Sequence, residues 1–148
     1  MHRINPRDLP LLFAIIALLF PFHTPQTVNV EVVSSTAGGE IYLAVYDSAD
    51  GFENDDHVAN ARHLMGEEAL RAELDLSLPR AGRYVVAAFQ DLNGNGLLDR
   101  NFLGVPTEPY GFGKLPPSKW RAPSFGELVT HIQGADHLVI EMRHWKDY

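Results

Sequence analysis

From Thr27 to Val33 the chain alternates Val28, Val30 and Val32 with Asn29 and Glu31, the period of a strand with one buried face. After the turn TAGG, the stretch EIYLAVYD sets Ile41, Leu43 and Val45 on one face and Tyr42, Ala44 and Tyr46 on the other. It predicts a strand partly covered on both sides. Asp47 to Gly66 is polar and acid-rich and reads as a surface excursion holding one irregular turn. EEALRAELDLSL suits two periods, but the alternation Leu70, Ala72, Leu74, Leu76, Leu78 outweighs the single Leu70/Leu74 helical pair and predicts a strand. Pro79 and Gly82 then make a turn. Tyr84 to Phe89, apolar on both faces, is expected as the central strand. Asp91 to Pro123 has no period. LVTHI and HLVIEMRHW, joined by QGAD, predict a closing hairpin with His131 and His137 on opposite faces.

Six to seven short strands without a convincing helix predict an all-β fold, an antiparallel β-sandwich of transthyretin-like or immunoglobulin-like kind. The phrase LPRAGRYVV resembles the proline-glycine-tyrosine turn of transthyretin-like and collagen-adhesin-B-like modules. If strands 40–46, 69–78 and 83–90 form an up-down-up meander, Asp47 and Asp91 lie at the same pole. An extra strand between 47 and 68 would reverse that.

The first residues change the picture. MHRINPRDLP carries Arg3 and Arg7 ahead of an apolar run, Leu9 to Phe22, that is shorter than the ~20 residues a membrane span needs. Residues 1–25 are expected as a hydrophobic export helix, a signal peptide or an uncleaved membrane anchor, and 26–148 as a single β-sandwich domain. Removing the segment takes Lys+Arg from 12 to 10 and Asp+Glu from 19 to 18, so net charge moves from −7 to −8. An acidic surface repels phosphate backbones, which argues against nucleic acid as a partner. The absence of cysteine excludes disulfides, thiol catalysis and thiolate metal sites. The expected location is the periplasm, the cell surface or the medium, with membrane contact only through the N-terminal segment if it is retained.

Within the aperiodic stretch, Asp91-x-Asn93-x-Asn95-Gly96 places side-chain oxygens at positions 1, 3 and 5 of a calcium-type loop, with glycine at the sharp turn. The Leu97 carbonyl would serve position 7 and Asp99 position 9. Position 12 is Phe102, where an EF-hand requires a bidentate Glu, so the shell needs a carboxylate from elsewhere, either Glu108 or Asp47. The expected site is a weak calcium site formed by Asp91, Asn93, Asn95, Leu97, Asp99 and Glu108, in the 10⁻⁴–10⁻³ M class. The same residues also suit a metal-free turn, because Asn and Asp bond their own backbone and Asn-Gly favours turns.

The stretch from Phe102 to Phe125 is rich in proline and aromatics. Tyr110, Phe112 and Trp120 are candidates for a protein- or carbohydrate-binding surface, against the alternative that these rings fold back over the open end as a secondary core. The histidines lack metal-ligand spacing. There is no Gly-x-Ser-x-Gly elbow, phosphate loop or His-Glu-x-x-His, so hydrolysis would rest on carboxylates such as Asp91 and Glu108.

FQDLNGNGLLDRNFLGVPTEPYGFG, followed by APSF and a final apolar strand, resembles a family of bacterial exported proteins catalogued as a domain of unknown function, number 2141. The similarity rests on Asp91, Asn93, Asn95, Asp99, Gly104-Val105-Pro106, Glu108, Tyr110-Gly111-Phe112, Pro123 and Phe125, and spans roughly Val30 to Met142. Many members have Ser-Asn after Gly-Phe, where this chain has Gly113-Lys114. The resemblance implies export and a β-sandwich, and no established activity. The expectation is an exported binding or structural module stabilised by calcium, with a metal-free interaction domain and a carboxylate hydrolase as rivals.

Overall fold

The computed structural model describes residues 24–148. The expected export segment, apart from residues 24 and 25, lies outside the described residues. The strands are β1 (Gln26–Ser34), β2 (Glu40–Tyr46), β3 (Ala59–Leu64), β4 (Arg71–Leu78), β5 (Gly82–Asp91), β6 (Tyr110–Phe112), β7 (Thr130–Ile132) and β8 (His137–Met142). Short helices α1 (Ala49–Asn54) and α2 (Phe125–Leu128) and a 3-10 turn (Trp145–Asp147) complete the elements. One sheet has the order β4-β1-β8 and the other β3-β2-β5-β6, with β7 also paired to β5. Pairing is antiparallel except for β8, which runs parallel to β1.

The alternating residues meet in one core. Val28, Val30, Val32, Leu74, Leu76, Leu78 and Ile140 come from the three-stranded sheet, and Ile41, Leu43, Val45, Tyr84, Val86 and Ile132 from the five-stranded sheet. Each fully buried side chain of this size contributes about 1.5–3 kcal/mol relative to exposure, which makes this face-to-face packing the main source of stability. The far face of the five-stranded sheet is also covered. Tyr46 and Val85 pack there with Leu128, together with Ala44, Ala87, Phe52, Phe112 and Phe125. This second layer explains why β2 and β5 are apolar on both faces.

The segment read as a surface excursion holds α1 and β3. Ser48 caps α1, its Oγ accepting the Gly51 N–H at 3.1 Å. The helix ends at Asp55, whose carboxylate accepts the Tyr46 hydroxyl at 2.5 Å. β3 escaped notice because most of its side chains are exposed on a sheet edge, so no apolar alternation marks it. Its presence overturns the meander. β4 joins the other sheet, and β2 pairs β5 with Glu40 opposite Asp91 and Tyr46 opposite Val85. Asp47 therefore lies at the pole away from Asp91 and cannot complete its loop.

The closing hairpin is corrected too. β7 pairs β5, Gly82 opposite Ile132, while β8 aligns with β1, Val30 opposite Leu138 and Ser34 opposite Met142. QGAD is a corner between sheets. The Asp136 carboxylate accepts the Gln133 N–H at 2.7 Å, and its carbonyl accepts the Asn29 N–H at 3.1 Å. A local hairpin would leave the second edge of β1 with unpaired backbone groups.

Gln90, fully buried, ties the β1–β2 turn to the end of β5. Its Oε1 accepts from Ser34 Oγ at 2.6 Å, and its Nε2 donates to the carbonyls of Thr36 (2.9 Å) and Gly38 (2.6 Å). The turn passes so close that a Cβ on Gly39 would stand 2.4 Å from the Asp91 carbonyl oxygen, whereas one on Gly38 would meet nothing within 4 Å. Both glycines have positive φ, +71° and +76°. Gly38→Ala is expected to cost about 1–2 kcal/mol from the left-handed backbone alone. Gly39→Ala should exceed that by a clear margin because of the added backbone clash. Paired denaturant titrations measure the difference, and equal losses would show that the close approach carries no energetic weight.

Candidate functional site

β5 ends at Asp91, where the chain leaves the sheet and turns back on a single carboxylate. Asp91 Oδ1 accepts the N–H groups of Asn93 (3.2 Å), Gly94 (2.7 Å) and Asn95 (3.3 Å), and Oδ2 accepts that of Gly96 (2.6 Å). Gly94 and Gly96 both have φ of +77°, which aims these donors inward. Asp91 is 1% exposed. Burial pushes its carboxyl up, but the N–H groups of Gly96, Gly94, Asn95 and Asn93 outweigh it and hold the group below the ordinary Asp value.

Around this centre runs a staircase of turns. Asn93 Oδ1 accepts the Asn95 N–H at 3.1 Å, and Asn95 Oδ1 accepts the Leu97 N–H at 2.8 Å. The two amide nitrogens converge on Asp99: Asn93 Nδ2 donates to it at 2.5 Å, and Asn95 Nδ2 donates at 3.0 and 3.1 Å to its two oxygens. Glu108, 5% exposed, arrives from downstream. Its Oε1 accepts the Leu92 N–H at 2.8 Å and its Oε2 the Asp99 N–H at 3.1 Å. One buried carboxylate thus fastens both ends of the loop.

The strap that delivers Glu108 is a small hairpin. Thr107 N–H donates to Asp99 O and Asn101 N–H to Val105 O, each at 2.9 Å, with a bridge between Arg100 and Pro106. Gly104 N–H closes the turn on Asn101 O at 2.9 Å, while Asn101 Oδ1 accepts the N–H groups of Leu103 and Val105 at 2.9 and 3.1 Å. Phe102 and Leu103 are left at the apex, 94% and 72% exposed.

Asp91, Asn93, Asn95, Asp99 and Glu108 therefore belong to one hydrogen-bonded assembly. Leu97 joins it through its N–H, with its side chain exposed. The carboxylates of Asp91 and Glu108 face backbone N–H groups. Among the described residues no group of three or more His, Asp or Glu side chains converges as a metal-ligating set. Oxygens that could turn toward a cation are those of Asn93, Asn95 and Asp99, on the open side of the loop.

Tyr110, Phe112 and Trp120 do not form one surface. Tyr110 is half-buried and stacks on Tyr148 at 4.9 Å, Phe112 packs into the second layer against Phe52, and Trp120 stands exposed against Trp145. The rings that fold back, Phe112 and Phe125, cover the outer face of β2 and β5 rather than the open end. Sequence reasoning had Phe102 only as the first aromatic of the 102–125 stretch, and missed Leu103, the apex the two form, and the Gln90 clamp. The signal for the apex was Asn101-x-x-Gly104, a four-residue turn whose two central residues must project. Two open clefts, of about 390 Å³ beside Ser34, Met142 and Arg143 and about 230 Å³ beside Asp47, Arg80 and Tyr84, include neither Asp91 nor Glu108.

The family model described as "Uncharacterized protein conserved in bacteria (DUF2141)" matches residues 28–139, and the chain belongs to that family. No curated protein and no solved structure matches the chain. The matched span covers the whole Asp91 to Glu108 assembly.

Asp91, with its folded value depressed, contributes stability that is full above its unfolded value of about 4 and is lost as pH falls through the folded value. Glu127, held down to about 2 by Arg121, titrates in the same acid range, so the comparison must be with a variant. Asp91→Asn is expected to lower stability at pH 7 and to flatten the acid limb below about pH 4. Melts of both proteins across that range check it, and parallel acid limbs would contradict it.

Proposed function

We propose that this member of the DUF2141 family is an exported binding module that presents the Phe102-Leu103 apex to a partner from a rigid mount. The observation that carries this reading is Glu108. Its carboxylate holds both ends of the loop, so two large apolar side chains are kept in solvent on an ordered turn instead of collapsing onto the surface. Exposing them costs hydrophobic free energy that a partner would recover. The two-sheet arrangement is read as a sandwich of transthyretin-like or immunoglobulin-like kind, in which loops at one pole commonly carry binding.

Export is supported by the basic start and apolar run of the first 25 residues. Gln26 lies at the pole opposite the loop, because β1 runs from Gln26 to Ser34 and Ser34 bonds Gln90 beside Asp91. Nine strand residues span about 30 Å.

The convergence of Asn93 and Asn95 on Asp99 favours a second element, weak calcium binding on the open side of the loop. Turning both amides over would aim their Oδ1 atoms at the Asp99 carboxylate, an arrangement that is repulsive unless a cation lies between them. Calcium would thus replace the amide-to-carboxylate hydrogen bonds to Asp99, and the two backbone N–H bonds that Asn93 and Asn95 Oδ1 accept, with oxygen ligation.

Two measurements test the reading. Phe102→Ser combined with Leu103→Ser should leave stability within about 0.5 kcal/mol of wild type, since both side chains are exposed. The same variant should lose the species that the immobilised wild-type domain retains from an exported-protein fraction. Identical retention by the two proteins would sink the apex reading. For calcium, a concentration ten times the dissociation constant is worth about 1.4 kcal/mol, or roughly 5 °C in melting midpoint. Superimposable melts in 10 mM calcium and in chelator would remove calcium while leaving the apex reading standing.

A further inference from the structure

Trp120 and Trp145, the only tryptophans in the chain, come from a proline-stiffened loop and from the C-terminal 3-10 turn. Their rings are 5.3 Å apart between centroids and nearly perpendicular, at 82°. The indole N–H of Trp145 donates to the Lys119 carbonyl at 3.0 Å, which ties the 3-10 turn to the loop beside Trp120, and the backbone N–H of Trp120 donates to Ser118 Oγ at 3.2 Å. Lys119 Nζ lies 5.5 Å from the centroid of Trp120 and 5.1 Å from that of Trp145. One ammonium therefore faces two indoles at once, while Trp120 remains 78% exposed.

The geometry points to a site for a quaternary alkylammonium group in this corner, with Lys119 as its resident competitor. Indole faces attract a cation through the ring quadrupole, and two perpendicular faces sum that attraction on one point. A primary ammonium such as that of Lys119 is compact and strongly hydrated, so it keeps its water and holds the corner weakly. A trimethylated nitrogen gives up its hydration at smaller cost and can lay methyl groups on both rings. Because Lys119 is tethered, it competes at an effective concentration in the millimolar range and masks the site from dilute ligand. The trimethylammonium group could belong to a soluble molecule or to a lipid headgroup. Both share the recognised chemistry.

Tryptophan fluorescence, excited selectively over the five tyrosines, reads this corner, because it holds both tryptophans. Titration of the full chain with tetramethylammonium should quench the emission saturably. Lys119→Ala should tighten the midpoint by about tenfold, the scale of one exposed cation–π contact per wall. Lys146→Ala, which removes a nearby charge without vacating the corner, should leave the midpoint unchanged. Trp120→Ala should abolish the saturable response with an unchanged melt, as its exposure permits. Equal midpoints for wild type and Lys119→Ala, equal tightening by Lys146→Ala, or binding that survives Trp120→Ala each overturns the site. With Lys119→Ala, a response to free phosphocholine marks a soluble ligand and a response only to phosphatidylcholine vesicles marks a headgroup. Failure of all three probes overturns the proposal.

Discussion

The organisation of the loop pole depends on a carboxylate buried without a cationic partner among the described residues. Asp91 can remain ionised at 1% exposure only because four backbone N–H groups replace the water it lost. That requirement dictates the path of the chain from Asn93 to Gly96, and with it glycine at two positions of φ +77°. Its neighbour Gln90 extends the same logic inward, its own buried amide satisfied by the half-buried carbonyls of Thr36 and Gly38 in the β1–β2 turn. The end of β5 thus joins both sheets and the loop.

Glu108 transmits this rigidity to the strap. Both of its oxygens bind backbone N–H groups on opposite sides of the loop, so the hairpin from Asp99 to Thr107 cannot swing as a free excursion. The apolar apex is consequently an ordered feature of the surface. The C-terminal segment reinforces the same pole: the Tyr148 hydroxyl donates to the Tyr110 carbonyl at 2.7 Å, and Tyr110 and Arg143 exchange backbone hydrogen bonds at 3.0 Å. Placing Trp145 beside Trp120 follows from that docking.

Much of the site was legible, because Asx turns are local. Asp91, Asn93 and Asn95 act on donors two to five residues away, and spacing alone exposes such geometry. Glu108 was legible as the carboxylate missing from position 12, although it meets backbone N–H groups where a cation had been expected. Asp47 was misplaced because its position relative to Asp91 depended on how many strands intervene. β3, with its exposed side chains, left no apolar period to count.

What the sequence determined by itself is which residues face inward. Alternation along β1 and β4 set Val28, Val30, Val32, Leu74, Leu76 and Leu78 on one face each, and along β2 and β5 it separated two apolar faces, of which the one with Leu43 and Val86 enters the main core. What only the tertiary structure decided is which strand lies beside which. β7 and β8 are adjacent in sequence, yet one completes β5 and the other runs parallel to β1. Backbone N–H and C=O groups are the same in every residue, so pairing carries no local signature. It is settled by which open edge needs a partner and which core needs Ile132, Ile140 and Met142 to close it.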